Sequence, residues 1–380
     1  MKASSAQSAT ESAVHGLPLT NRSSLGASSS ESSQLSSLNV HDGHPARWWT
    51  RLPDGRLRCE LCPRECTLRD GQRGFCFVRA RHGDEIRLDG YGHCSGLALD
   101  PIEKKPLNHV RPGARVLSFG TAGCDLACRF CQNWEISTAR SMTAVGVPAA
   151  PSQIAADAAS RGCAGVAFTY NDPVVFAEYA MDTAKAVNDQ GMLSIAVTAG
   201  YVNPAPRDEF FACMDAANID LKGFTEGFYR RITGGRLDVV LDTIDAVVHN
   251  DRTWVELTTL LIPGMNDSDQ ELTAMCRWIV RQLGPDVPLH FTAFHPSNRM
   301  RDVPPTSASS VRRARQLALD AGIHFVYTGN VHDPEGQTTW CPQCGAALIE
   351  RDGYRLGRTR LDERGKCQAC GYLLPGILGD

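Results

Sequence analysis

Three cysteines in the run Gly123-Cys124-Asp-Leu-Ala-Cys128-Arg-Phe130-Cys131-Gln-Asn133 are spaced C-x3-C-x2-C and follow an apolar stretch, Val116 to Phe119. A cubane [4Fe-4S] cluster has four irons, and electron carriers hold each iron through its own cysteine thiolate. Three thiolates leave one iron open to another ligand. Zinc is the alternative occupant, but structural zinc takes four N/S ligands and more often uses paired C-x2-C knuckles. The spacing therefore predicts a [4Fe-4S] cluster on Cys124, Cys128 and Cys131 with one open coordination position.

Two further cysteine sets have ligand spacing. Cys59-Glu-Leu-Cys62-Pro-Arg-Glu-Cys66, followed by Gly74-Phe75-Cys76, suits one site, either an auxiliary iron-sulfur cluster or a structural zinc knuckle. Cys341-Pro-Gln-Cys344-Gly and Cys367-Gln-Ala-Cys370-Gly match a four-cysteine zinc ribbon. A rubredoxin-like iron site uses the same geometry. With either metal, the ligands would fold a segment too small for a core of its own. Cys94, Cys163, Cys213 and Cys276 fall outside these sets and read as small hydrophobes without a function.

These ligands need a scaffold. Between about 113 and 335, β-rich runs (Val116 to Phe119, Gly165 to Tyr170, Leu193 to Thr198, Ala217 to Leu221, Trp254 to Leu261, Leu289 to Phe294, Ile323 to Tyr327) alternate with helical periodicity at Pro151 to Arg161, Val174 to Gln190, Leu237 to Asn250, Asp269 to Gln282 and Ala308 to Ala321. The alternation predicts an α/β fold, a full or partial (β/α) TIM-like barrel with chemistry at the C-terminal strand ends. Polar motifs stand at those ends. Phe168-Thr169-Tyr170-Asn171-Asp172-Pro173 combines acceptors with a helix start, since Asp before Pro is also an N-cap. Thr198-Ala199-Gly200, Asp220-Leu-Lys222-Gly223, Leu260-Leu-Ile262-Pro263-Gly264-Met-Asn266-Asp267 and Phe294-His295-Pro296 follow. His295 is the catalytic candidate among them, against the usual reading of a lone His as structural.

Taken in order, these motifs resemble the glycyl-radical-activase branch of the radical SAM superfamily. The Leu-Cys-Pro-Arg-x-Cys module and the terminal ribbon narrow the likeness to the radical SAM enzymes of the AmmeMemoRadiSam system, from about residue 47 to the end. The resemblance implies that S-adenosylmethionine chelates the open iron, that Phe130, Asn171, Asp172, Thr198, Asp220 and Lys222 lie near it, and that Memo-like and AMMECR-like proteins are partners, with a flavodoxin- or ferredoxin-like electron donor. Activases carry Gly-Gly-Glu-Pro where this chain has Tyr170-Asn171-Asp172-Pro173. They carry Thr-Asn-Gly where it has Thr198-Ala199-Gly200.

The implied activity is reductive cleavage of S-adenosylmethionine to a 5'-deoxyadenosyl radical, which abstracts hydrogen from a protein, a small molecule or RNA. The rival is an iron-sulfur electron carrier or redox-sensing scaffold, which gains nothing from an open iron.

The 380 residues are 42% hydrophobic with a formal charge of -3, which gives no whole-chain argument for nucleic acid or an anionic membrane. No apolar run is long enough for a membrane span and no secretory signal is evident, so a cytoplasmic protein is expected. Residues 1–45 read as a disordered Ser-rich tail, because they lack the apolar side chains that offset ordering entropy; Glu11, Glu31 and the scarcity of Arg weigh against a transit peptide. The expected division is then 46–112 for the Cys-rich module, 113–335 for the barrel and 336–380 for the ribbon.

Overall fold

All seven apolar runs become parallel strands of one sheet: β1 (Arg115–Gly120), β2 (Gly165–Phe168), β3 (Leu193–Thr198), β4 (Ala216–Asp220), β5 (Trp254–Leu261), β6 (Leu289–Ala293) and β7 (Val326–Gly329). They pair in sequence order, with registers such as Gly165↔Val116 and Ile195↔Ala216. Each of the first six strands is followed by a helix that packs on the outer face: α1 (Pro151–Ser160), α2 (Ala177–Asn188), α3 (Pro204–Phe211), α4 (Leu237–Val248), α5 (Asp269–Leu283) and α6 (Ala308–Asp320). The computed structural model describes residues 43–140 and 146–379. The expected tail lies outside them except at 43–45, where His44–Pro45 pairs antiparallel with Glu85–Leu88.

Strand β2 is buried along its whole length, as a parallel strand covered on both faces must be. Helix α5 buries Leu272, Met275, Cys276 and Ile279, one stripe at helical spacing. Its start is capped by Ser268, whose hydroxyl accepts the Glu271 N–H. The last strand begins three residues later than its apolar run, because the chain turns at Ala321–Gly322 and Phe325 joins a separate core with the ribbon.

The barrel is partial. On the β1 side, His93–Pro101 pairs antiparallel with β1 and then with Val147–Pro148. Among the described residues β7 pairs with β6 alone in this sheet. The Cys-rich segment contributes two small three-stranded antiparallel sheets, and its Leu57, Leu61, Val78 and Ile86 enter the main core. The described residues group as a single unit.

At the N-terminal strand ends, a polar plug joins segment 102–113 and the ribbon to the barrel. Glu256 is fully buried and accepts the backbone N–H groups of Asn108 and His109 at 2.9 and 2.7 Å and pairs with His290 at 2.7 Å. Burial opposes its charge, but the bond to His290 and the backbone donors hold its carboxyl down at about 2.

His109 Nδ1 meets the Pro375 carbonyl at 2.7 Å and its Nε2 meets Tyr327 Oη at 2.7 Å. A carbonyl only accepts, so Nδ1 carries the proton and Nε2 accepts from Tyr327. Tyr327 in turn accepts from Thr339 at 2.8 Å, and Thr339 accepts from Arg351 at 2.7 Å. The relay requires a neutral imidazole, and burial lowers the His109 pKa to about 4.

The unfolded chain binds this proton near pH 6.5, so folding stability is present above that value and is lost as pH falls toward the folded value. Between about pH 7 and pH 5 the loss from this group is about 2 kcal/mol. Urea denaturation at both pH values should show it, with a smaller drop in His109→Gln. An equal drop in both proteins would remove His109 as the cause.

Candidate active site at the C-terminal strand ends

The cysteine loop leaves β1 through Gly120 and Gly123, and neither tolerates a side chain. A Cβ at Gly120 would stand 2.5 Å from the Thr169 carbonyl oxygen. At Gly123, where φ is +79°, it would stand 1.9 Å from the carbonyl oxygen of Cys76. The loop is then tied on every side. Ala127 and Arg129 donate backbone N–H groups to the Thr233 and Ile232 carbonyls at 2.8 and 2.9 Å. Cys124, Cys128 and Cys131 end up half-buried, on one loop at the mouth of the barrel.

Asn171 secures this loop from β2. Its amide donates to the carbonyls of Gly123 and Ala122 and to the Thr121 hydroxyl at 2.8, 3.2 and 3.1 Å, while its oxygen accepts the Thr121 N–H at 2.9 Å. The side chain expected to meet a cofactor amino group is thus engaged by backbone. Asp172 is committed in a similar way. One oxygen accepts from Val174 N–H (3.1 Å) and the Thr198 hydroxyl (2.8 Å), the other from Ala199 N–H (2.8 Å). It is an N-cap and a tie between two strand ends at once, and burial raises its pKa.

Tyr170 occupies a left-handed conformation with φ +70°, which costs a non-glycine residue about 1–2 kcal/mol. Here the sequence departs from Gly-Gly-Glu-Pro, and the departure keeps the glycine-like backbone. Tyr170 offsets the strain with an Oη bond to Asp100 (3.2 Å), itself paired with the buried Lys105 (2.7 Å).

Lys222 and Asp220 form an ion pair of 2.7 Å beyond β4. Burial works against the lysine charge, but Asp220 and the Cys128 sulfur outweigh it and its pKa rises above the ordinary value. Its Nζ lies 5.9 Å from the centre of the buried Phe130 ring. Burial pushes the Cys128 thiol up to about 12, with Lys222 pulling the other way. Such a thiol ionises when a metal takes its proton's place. Phe130, Asp220 and Lys222 therefore stand beside Cys128, whereas Thr198 bonds to Asp172 and Gly200 at the β3 end. His295 lies on the exposed segment after β6.

Sequence reasoning passed over the residues that clamp the loop from outside. Ser297 donates to the Cys131 carbonyl and Asn298 to the Cys128 carbonyl, both at 3.2 Å. Arg64 donates to the carbonyls of Asp125 and Gly234 at 2.7 Å each. Asn266 donates to the Lys222 carbonyl at 2.7 Å. All five bonds are to backbone across long sequence separations, so local spacing does not reveal them.

The donor set fits a cluster with three protein ligands: three half-buried cysteines on a constrained loop, and a paired cation beside one of them. The ribbon cysteines differ. Their four sulfurs lie within 4.8 Å of one another, with Cys341–Cys370 and Cys344–Cys367 at 3.6 and 3.7 Å. Bonds of about 2.3 Å from one tetrahedral ion impose sulfur separations of about 3.8 Å, so this set fits a single metal ion.

The family described as "Radical SAM superfamily" matches residues 119–276, from the end of β1 to the middle of α5. The chain belongs to the Radical SAM superfamily. It is 38% identical over 341 residues to an uncharacterized protein of Methanocaldococcus jannaschii, an alignment covering 88% of this chain and 99% of that one. It is 25% identical over 171 residues to the pyruvate formate-lyase-activating enzyme of Clostridium pasteurianum, covering 44% of this chain and 70% of the relative. Among solved structures, a radical SAM methyltransferase from Sphaerobacter thermophilus superposes with a TM-score of 0.48 and 13% identity, over 80% of this chain and 82% of that one. Among the described residues no helix is long and apolar enough to cross a membrane.

Proposed function

We propose that this radical SAM enzyme binds a [4Fe-4S] cluster through Cys124, Cys128 and Cys131 and acts on a substrate by hydrogen abstraction, in the manner of the activases. The observation that carries this reading is a loop with three half-buried thiols, clamped by backbone hydrogen bonds at the C-terminal strand ends. When bound, the cluster and S-adenosylmethionine supply reductive C–S cleavage to a 5'-deoxyadenosyl radical. The protein's own part is positional. Asn171, Ser297 and Asn298 hold the loop, Asp172 ties β2 to β3, and Lys222 sets a positive charge beside Cys128. Phe130, Thr198 and Asp220 border the space left for the cofactor, and His295 is the remaining polar candidate for substrate.

The Leu-Cys-Pro-Arg-x-Cys module and the ribbon support placing the chain with the AmmeMemoRadiSam system, with Memo-like and AMMECR-like proteins as partners and a flavodoxin- or ferredoxin-like donor. Anaerobically reconstituted protein given dithionite and S-adenosylmethionine should release 5'-deoxyadenosine. Release that rises several-fold on adding a Memo-like or AMMECR-like polypeptide marks a protein substrate; no response to polypeptides points to a metabolite or RNA. No release from a loaded and reducible cluster overturns the proposal.

A further inference from the structure

The thiols of Cys59, Cys62, Cys66 and Cys76 wall one small cavity beside the cysteine loop. Their spacing is unlike that of the ribbon. Among the described residues, the ribbon set is the group of three or more Cys, His or carboxylate ligand atoms that closes to within 4.8 Å, so the four sulfurs at 59–76 surround their cavity at wider separation. One ion with bonds of about 2.3 Å cannot hold these sulfurs without drawing them closer together. A cluster can, because each thiolate bonds a different iron.

Each sulfur also has a backbone donor beside it, although burial pushes the Cys59, Cys62 and Cys76 thiols up. Backbone N–H groups approach all four: Leu61 at Cys59, Arg64 at Cys62, Phe75 at Cys66 (3.3 Å), and Val78 with Arg79 at Cys76. Two buried polar atoms on the cavity wall have no partner. Arg79 is 1% exposed and pairs with Glu178, yet its Nε–H meets no acceptor. Asp125 is equally buried and its Oδ2 is unpaired. A buried donor on a cation is strongly unfavourable unless something accepts from it. An occupant of net negative charge with sulfur acceptors on its surface satisfies it.

We infer that Cys59, Cys62, Cys66 and Cys76 ligate a second, multinuclear iron-sulfur cluster that accepts a hydrogen bond from Arg79 Nε. The cluster sits against the loop that carries Cys124. The Cys76 carbonyl abuts Gly123, and Arg64, between two of the ligands, holds the Asp125 carbonyl. The inference uses a separate set of ligands and stands whether or not the Cys124 site performs radical chemistry.

The test is the full chain with Cys124, Cys128 and Cys131 all changed to Ala, reconstituted anaerobically with iron and sulfide. It should retain about four acid-labile sulfides per chain and a reduced-cluster EPR signal, both lost when Cys62→Ala and Cys66→Ala are added. The ribbon contributes no sulfide, since a single ion on four thiolates contains none. Absence of sulfide in the triple variant, with at most one metal ion per chain besides that of the ribbon, overturns the inference. Should the triple variant fail to fold, the unaltered protein decides: about eight sulfides per chain support a second cluster and about four overturn it. Formation of 5'-deoxyadenosine by the unaltered protein is read separately and reports on the proposed function alone.

Discussion

Replacing Cys128 with alanine is expected to cut reductant-dependent 5'-deoxyadenosine formation to background, a fall of more than about 100-fold, since even the loss of a residue that only supports a metal ligand typically costs 10- to 100-fold. With one of its three anchors gone, the cluster at this loop loses both a covalent bond and the thiolate that Lys222 faces. No neighbour can substitute. Of the side chains that act on the Cys128 sulfur, Cys131 is itself a ligand of the set and Asp220 is already bound to Lys222. Cys276→Ala is the control: Cys276 is fully buried on α5 and belongs to none of the ligand sets, so product formation should be unchanged. Undiminished product in Cys128→Ala would sink the assignment of the loop as cluster ligand.

Gly123→Ala should be nearly as damaging, although it removes no ligand. The added methyl would stand 1.9 Å from the Cys76 carbonyl oxygen and 3.3 Å from Val78, and the first of these is a backbone atom that cannot rotate away. The positive φ contributes about 1–2 kcal/mol of strain, and the collision adds more, so the loop must move off Cys76. Its ties then fail together, because Gly123 also donates to the Ile136 carbonyl at 3.0 Å and accepts from Asn171 at 2.8 Å. Iron and sulfide bound at Cys124, Cys128 and Cys131 should fall severalfold and 5'-deoxyadenosine with them. Gly71→Ala separates the two causes, since Gly71 has φ +74° and no atom within 4 Å of its would-be Cβ. It should cost only the backbone strain and retain full activity. Equal losses in the two variants would refute the steric explanation.

Much of the scaffold was legible before any coordinates. The runs Leu193–Thr198 and Trp254–Leu261 coincide with β3 and β5 residue for residue, because a strand buried on both faces writes a continuous apolar stretch between turn residues. Helix α3 was missed. It spans eight residues with two prolines and a weakly apolar face, too short for a period to emerge. The strand His93–Pro101 was also missed, since its apolar Leu97 and Leu99 are exposed and stand among small and polar neighbours.

At the site, the ligand types were determined by local spacing. Cys124, Cys128 and Cys131 lie within eight positions, and metal chemistry alone restricts what such a set can hold. The same holds for the ribbon, whose paired knuckles imply one tetrahedral ion. What the neighbours do was decided by tertiary structure. Asn171 and Asp172 have the chemistry of cofactor acceptors, but in the fold their hydrogen bonds go to backbone at Thr121–Gly123, Val174 and Ala199, because a loop emerging from one strand leaves orphan amides that the next strand end is placed to satisfy. The choice at Cys59–Cys76 between one ion and a cluster was likewise closed to sequence. It depends on how far apart four sulfurs stand and on which buried donors around them lack a partner, and those distances exist only once Arg79, Asp125 and the cysteine loop have packed together.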